Sequence, residues 1–327
     1  MKKVAAAVLI LLLMVAPGHA QSALEQQNAL MFQQVQQEHS LTPAQMERIK
    51  AIFARSVFAG QGNPAVARHP MTVAECKSRA PNGGRGYSNP EFRRICGANY
   101  MAPLYDPRIE TARNAKACID QFEFPDLPCT YPVVWVKAVE AAEICSAMGK
   151  RLCDAHEWEG ACAGALEPPN YRFGIGPGSV SGVARAFNAQ NAATKSWSYG
   201  PNYQTGICAA NSQKSPGCNG GGWNACGSNT YPTGAFPDCR SKLGVFDLNG
   251  NAAEHMNLPL SPDQMASRGS TTLGVTEMKG SWFIFDKYRA HEDWCRWRAP
   301  FWHGSRVLSP ASHSNYHLGF RCCKTID

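Results

Sequence analysis

The chain has 327 residues, a formal net charge of +7, and 44% hydrophobic residues. That length gives a soft expectation of one large or two modest domains, with ample material for a core. The basic residues are spread along the chain rather than gathered in a block, which argues against a nucleic-acid-binding protein.

Residues 1–20 place Lys2 and Lys3 before an apolar run from Val4 to Val15, followed by Pro17, Gly18, His19 and Ala20. The run is too short to span a bilayer comfortably, and its small-residue end predicts a cleaved signal peptide. No cysteine sits at the cut, so no lipid anchor is expected, and no later stretch reads as a membrane span. Removing Lys2 and Lys3 lowers the charge from +7 to +5. Export implies a periplasmic or secreted, oxidising setting, where an even set of fourteen cysteines reads as disulfides. None lies in a C-x-x-C pair, so zinc ribbons and thioredoxin-type motifs have no support.

Residues 21–58 predict a helical hairpin. Thr42 can cap, Pro43 suits the first helical position, Gln45 completes a capping box, and Leu41 and Met46 are placed as a hydrophobic staple. Met46, Ile49, Ile52, Phe53 and Val57 follow at helical spacing. Packing against the main domain is the plain role for this hairpin, and partner docking the sharper one. Residues 59–114 are rich in Gly, Pro, Asn and Arg and read as an irregular linker, stapled by Cys76 and Cys96 on proximity alone. Cys118 with Cys129 is the corresponding proximity pairing. Beyond them, Tyr131–Val136 reads as a buried strand and Ala138–Met148 as a helix ending at Gly149. Asp154 and Glu157 form a capping box that starts another helix. Residues 198–230 predict a long, disulfide-held surface loop. Among Cys208, Cys218, Cys226 and Cys239 the three possible pairings stay open.

Three ordered blocks carry a resemblance. The first is Tyr131-Pro-Val-Val-Trp-Val, then Gly149-Lys-Arg-Leu152, then His156-Glu-Trp-Glu159. The second is Gly244-Val-Phe-Asp-Leu-Asn-Gly-Asn-Ala-Ala-Glu254. The third is Lys279-Gly-Ser-Trp282, closed by Leu318-Gly-Phe-Arg-Cys322. In order and separation they resemble the formylglycine-generating enzyme (sulfatase-modifying factor) family over residues 115–327. The resemblance implies an α+β fold of the C-type-lectin-like kind with much irregular backbone. It also implies the pairs Cys145–Cys322 and Cys162–Cys295, and leaves Cys153 and Cys323 to each other.

The second block implies a structural calcium site, with carboxylates from Asp247 and Glu254 and carbonyls from Gly250 and Ala252, hard oxygen donors that suit Ca²⁺. The alternative is a plain Asn249-Gly250 turn with solvated acids. The family's oxidase holds copper between two cysteines after its Gly-Ser-aromatic motif, a soft pair that suits Cu(I). Here the corresponding positions lie near Ile284 or Phe285 and near Ala290, none of them a thiol. Copper and iron are therefore not expected, nor is formylglycine formation by that route. Four of nine histidines, His291, His303, His313 and His317, cluster late in the chain. His291 and His303 are the alternative candidates for a borderline metal. The spacing of His313 and His317 matches part of an iron motif from other branches, but Gly319 replaces its acid, and we read this as coincidence.

The expected function is an exported binding or maturation-accessory protein for a peptide or protein partner in the envelope. Its groove candidates are Ser281, Trp282, Trp294, Arg296 and Arg298, where arginine forks and indoles suit a peptide or carboxylated ligand. The alternative is a metal-dependent oxidoreductase that modifies an exported peptide or siderophore-like product. A formylglycine-generating oxidase comes third.

Overall fold

The computed structural model describes residues 22–173, 180–219, 221–285, 292–299 and 305–326. The signal-peptide segment, His291 and His303 lie outside these described residues.

Ser22 and Thr42 each cap a helix and receive the return bond from Glu25 and Gln45. Two orphan donors are satisfied at each start, and the result is the expected hairpin of α1 (Ala23–Glu38) and α2 (Pro43–Arg55). Met31, Val35, Ile49, Ile52 and Phe53 are buried in one cluster with Val136, Ile144 and Phe320. The hairpin therefore completes the main core.

Residues 59–114 are more than a linker. They form α3 (Val73–Arg79), α4 (Pro90–Cys96) and β1 (Met101–Leu104). The last of these pairs antiparallel with β2 (Ala117–Asp120) in the first sheet. Then come α5 (Ala138–Ala147), β3 (Arg151–Leu152), α6 (Ala155–Ala163) and α7 (Val180–Asn191). After a long irregular stretch, β4 (Ala253–Leu258), β5 (Val275–Lys279), β6 (Leu318–Phe320) and β7 (Cys322–Thr325) complete the chain. One sheet runs β1-β2-β7-β3 and the other β5-β4-β6, with β4 and β6 parallel. The mixture of helices, two small sheets and much loop is the expected α+β class.

Tyr131–Val136 is not a strand, although Val133–Val136 are buried. It makes only an isolated bridge, Gly60 to Val134. Pro132 has no N–H to give a ladder, and Trp135 sits at φ +60°, which ends extended pairing.

All fourteen cysteines are joined in seven disulfides and none is free. Cys145–Cys322 and Cys162–Cys295 pair as the resemblance implies, and Cys153 and Cys323, which lie beside that pattern and outside it, pair with each other as expected. The two proximity pairings are corrected: Cys76 joins Cys129, and Cys96 joins Cys118. The reason is topological. The antiparallel β1–β2 hairpin folds Cys118 back toward the end of α4, where Cys96 sits. The open set resolves as Cys208–Cys239 and Cys218–Cys226. Among the described residues no helix is long and apolar enough to cross a membrane.

Candidate functional site

β5 delivers the Lys279-Gly-Ser-Trp282 motif to the protein's aromatic side. Gly280 turns the chain at φ +72°, and a Cβ there would lie 2.8 Å from the Leu248 carbonyl oxygen. Only glycine meets both demands. The segment is then pinned on two sides: the Phe283 N–H donates to Asn251 O at 2.9 Å, and its carbonyl accepts from the Ser212 N–H at 2.7 Å. Ser281 is buried. The Trp282 indole lies parallel to His317 at 4.0 Å, with Phe285 edge-on at 4.4 Å. Tyr316 meets His317 edge-on at 4.7 Å, and the row continues through Trp135 to Phe58 and Trp223, which stack at 4.7 Å. His317 is thus an aromatic-row residue, while His313 stays exposed at the surface.

The remaining groove candidates are not brought to that row. Arg298 is buried, and its guanidinium grips Glu159 through Nε to Oε1 at 2.8 Å and Nη2 to Oε2 at 3.0 Å. Phe187 covers it at 3.5 Å. It is a structural ion-pair residue, not a free ligand-binding arginine, which corrects the expectation. The other arm of this pair is Lys279, whose Nζ donates to Glu159 at 2.7 Å. Burial alone would raise Glu159, but Arg298 and Lys279 outweigh it and hold the carboxyl at about 2. Arg296 pairs with Glu167 at 3.2 Å and donates to the Ala165 carbonyl. Trp294 is buried under the Lys195 ammonium. These three tie the 292–299 stretch to α6, α7 and the loops beside them.

The Asp247–Glu254 block is equally committed. Asp247, Gly250 and Asn251 all have positive φ, so the chain winds tightly here. Asn251 donates to Glu123 at 2.6 Å and exchanges bonds with the Tyr231 backbone, while Asn249 ties Ser198 to Asp293. Glu254 accepts two bonds from Arg321, at 2.6 and 2.7 Å, and a third from the Trp158 indole. Asp247 accepts from the Gly234 N–H at 2.6 Å, its second oxygen has no partner, and burial pushes its carboxyl up to about 7. The donor set does not fit the expected calcium site. Only Asp247 keeps a free carboxylate oxygen, because Glu254 is neutralised by a buried guanidinium, whereas calcium takes six to eight oxygens. Among the described residues no group of three or more His, Cys, Asp or Glu is arranged to hold a metal.

Sequence reading missed the far end of the aromatic row. Phe58 closes the helical hairpin and Trp223 sits in the glycine-rich loop between Cys218 and Cys226. Neither position carries a motif, and only their aromatic character marks them in the sequence.

No curated protein matches this chain. One solved structure with which it shares similarity is described as "Crystal Structure of CarF". The two are 13% identical, the match covers 60% of this chain and 68% of that one, and the TM-score is 0.30. A likeness that remote carries no argument. The decisive match is to the family model described as the sulfatase-modifying factor enzyme 1-like domain, which spans residues 87–326. It takes in β1, both sheets, the Arg321 pair and every member of the aromatic row except Phe58, and on that match the chain belongs to the sulfatase-modifying factor family.

Proposed function

We propose that this is an exported binding or maturation-accessory protein that holds a peptide-like partner of the cell envelope along the Trp282–His317 aromatic row, without copper-dependent formylglycine formation. The observation that carries this reading is the fate of the cysteines. Cu(I) oxidase chemistry needs a soft thiolate pair, and every cysteine here is in a disulfide. What remains is an aromatic row whose middle, Trp282, Tyr316, His317 and Trp135, is buried, and whose ends, Phe285, Phe58 and Trp223, are half-buried and offer the kind of aromatic edge that anchors partner side chains. Seven disulfides and the leading apolar segment favour an oxidising, extracytoplasmic setting.

The test uses the mature chain purified from the periplasm. A display library of random peptides is expected to yield binders, and Trp282→Ala is expected to weaken the best of them at least ten-fold with the fold intact by circular dichroism. A cysteine-containing sulfatase peptide incubated with the protein, copper and oxygen is expected to emerge unchanged in mass. Formylglycine in that peptide would overturn the reading. So would stoichiometric copper or iron that disappears on changing His291 and His303, which would favour the oxidoreductase alternative.

A further inference from the structure

A cleft of about 750 Å³ opens between residues 65–70 and residues 211–217 and 224–229, two stretches held together by the Cys218–Cys226 disulfide. This is within the range of ligand sites. Its walls are fixed. The Arg68 N–H donates to Asn229 Oδ1 at 2.6 Å, and His69 Nδ1 donates to the Thr230 carbonyl at 2.9 Å while its ring stacks on Tyr131. The two walls press together at Gly227, where a Cβ would lie 2.7 Å from Val66 O. The cleft adjoins the proposed binding row. Ser212 on its wall is bonded to Phe283, and Asn63, at the start of the other wall, donates to the Trp223 carbonyl at 3.0 Å. Above that junction lie half-buried Phe58 and Trp223, with Val57 74% exposed.

The cleft's charge is one-sided. Arg68 and Lys214 line it and are exposed, and no Asp or Glu does. Burial lowers His69 to about 4, so it adds no charge at neutral pH. The imbalance extends through the sequence: residues 168–237 contain no aspartate or glutamate, and neither do residues 51–74. Lys214 makes no ion pair among the described residues. A concave surface lined by one sign of charge focuses its field and raises the local concentration of the opposite charge.

We propose that this cleft recognises an extended acidic peptide segment, with carboxylates held by Arg68 and Lys214 and a flanking apolar side chain on the Val57–Phe58–Trp223 shelf. This rests on the peptide-binding reading above and names the chemistry of its partner. Exposed aliphatic Val57 beside the aromatic pair favours a peptide side chain over a sugar, whose ring would need an open aromatic face. Phe58 and Trp223 already cover one face of each other.

Fluorescence anisotropy of labelled twelve-residue peptides tests it. One peptide carries Asp and Glu around a single Leu, one has Asn and Gln in their place, and one has Lys. A sulfated oligosaccharide serves as competitor. The acidic peptide is expected to bind at least ten-fold tighter than its amide counterpart, with affinity falling as salt rises. Lys214→Glu is expected to remove most of that preference. Arg68→Glu should act in the same direction, but Arg68 also donates to the Ala65 and Ala67 carbonyls, so Lys214 is the cleaner probe. Trp223→Ala should weaken acidic and amide peptides alike. Equal binding of the acidic and amide peptides, or an unchanged preference in Lys214→Glu, overturns the cleft assignment. If Trp282→Ala still weakens binding in that case, the peptide-binding reading stands. Binding of the oligosaccharide but of no peptide overturns both.

Discussion

Arg321 explains why the chain needs an arginine between two glycine- and cysteine-marked strands. It leaves β6 in the second sheet and enters β7 in the first. One Nη donates to the Asp120 and Gln121 carbonyls at the end of β2, while the fork faces Glu254 on β4. A single buried guanidinium thus clamps both sheets. Burial would lower its pKa, but Glu254 outweighs that and the arginine stays charged. Replacing it by Leu leaves Glu254 buried with only the Trp158 indole for support. Breaking such a pair from one side costs about 3–5 kcal/mol. Urea unfolding of Arg321→Leu should show a loss of that size, and a loss below about 1 kcal/mol would mean the clamp is dispensable. The double replacement Glu254→Gln with Arg321→Leu should recover part of it, because no uncompensated charge then remains.

At the scale of elements, local signals were legible and long-range ones were not. Thr42, Pro43 and Gln45 announce a helix start because a capping box involves neighbours only, and α2 begins there. Asp154 and Glu157 are half right. Glu157 accepts from the Asp154 N–H at 2.9 Å, but the Asp154 carboxylate turns away to the Ala266 and Ser267 N–H groups. Arg298 misled because an arginine among tryptophans reads as an exposed recognition residue, while its partner Glu159 lies far off in sequence. The disulfides divide in the same way. Cys218–Cys226 spans 8 residues and Cys145–Cys322 spans 177. In the chain-entropy picture the first contributes about 2.5 kcal/mol and the second about 5 kcal/mol. Replacing each pair by alanines and measuring urea midpoints should give a clearly larger loss for Cys145–Cys322. Equal losses would show that local strain, not loop closure, sets their worth. The Cys218–Cys226 variant should also lose peptide affinity beyond its loss of stability, since that bridge shapes the cleft wall.

For the whole molecule, pH acts through buried groups that pull in opposite directions. Burial lowers His39 and His69 to about 4, below the unfolded value of 6.5. The unfolded chain therefore takes up protons first, and the stability these histidines support is lost as pH falls from about 6.5 through 4. Burial raises Asp247 and Glu277 to about 7, above unfolded values of 3.8 and 4.5. Here the folded chain holds the protons, and stability present below about pH 4 is lost as pH rises through 7. Over about pH 4.5–6.5 the two sets offset, so the wild-type profile alone conceals both. Glu277 is the group to remove. It is fully buried, one oxygen accepts from the Ala299 N–H at 2.7 Å, and the other has no partner. Glu277→Gln keeps the accepting oxygen and deletes the titration. Relative to wild type it should gain about 1 kcal/mol of stability per pH unit between about pH 5 and 7. The comparison is made by urea unfolding at several pH values on both proteins. Parallel profiles would mean that Lys279, 3.8 Å away, keeps Glu277 ionised throughout. A gain growing with pH would show that the folded protein carries a proton there near neutrality, inside the same ion-pair cluster that holds Arg298 away from any ligand.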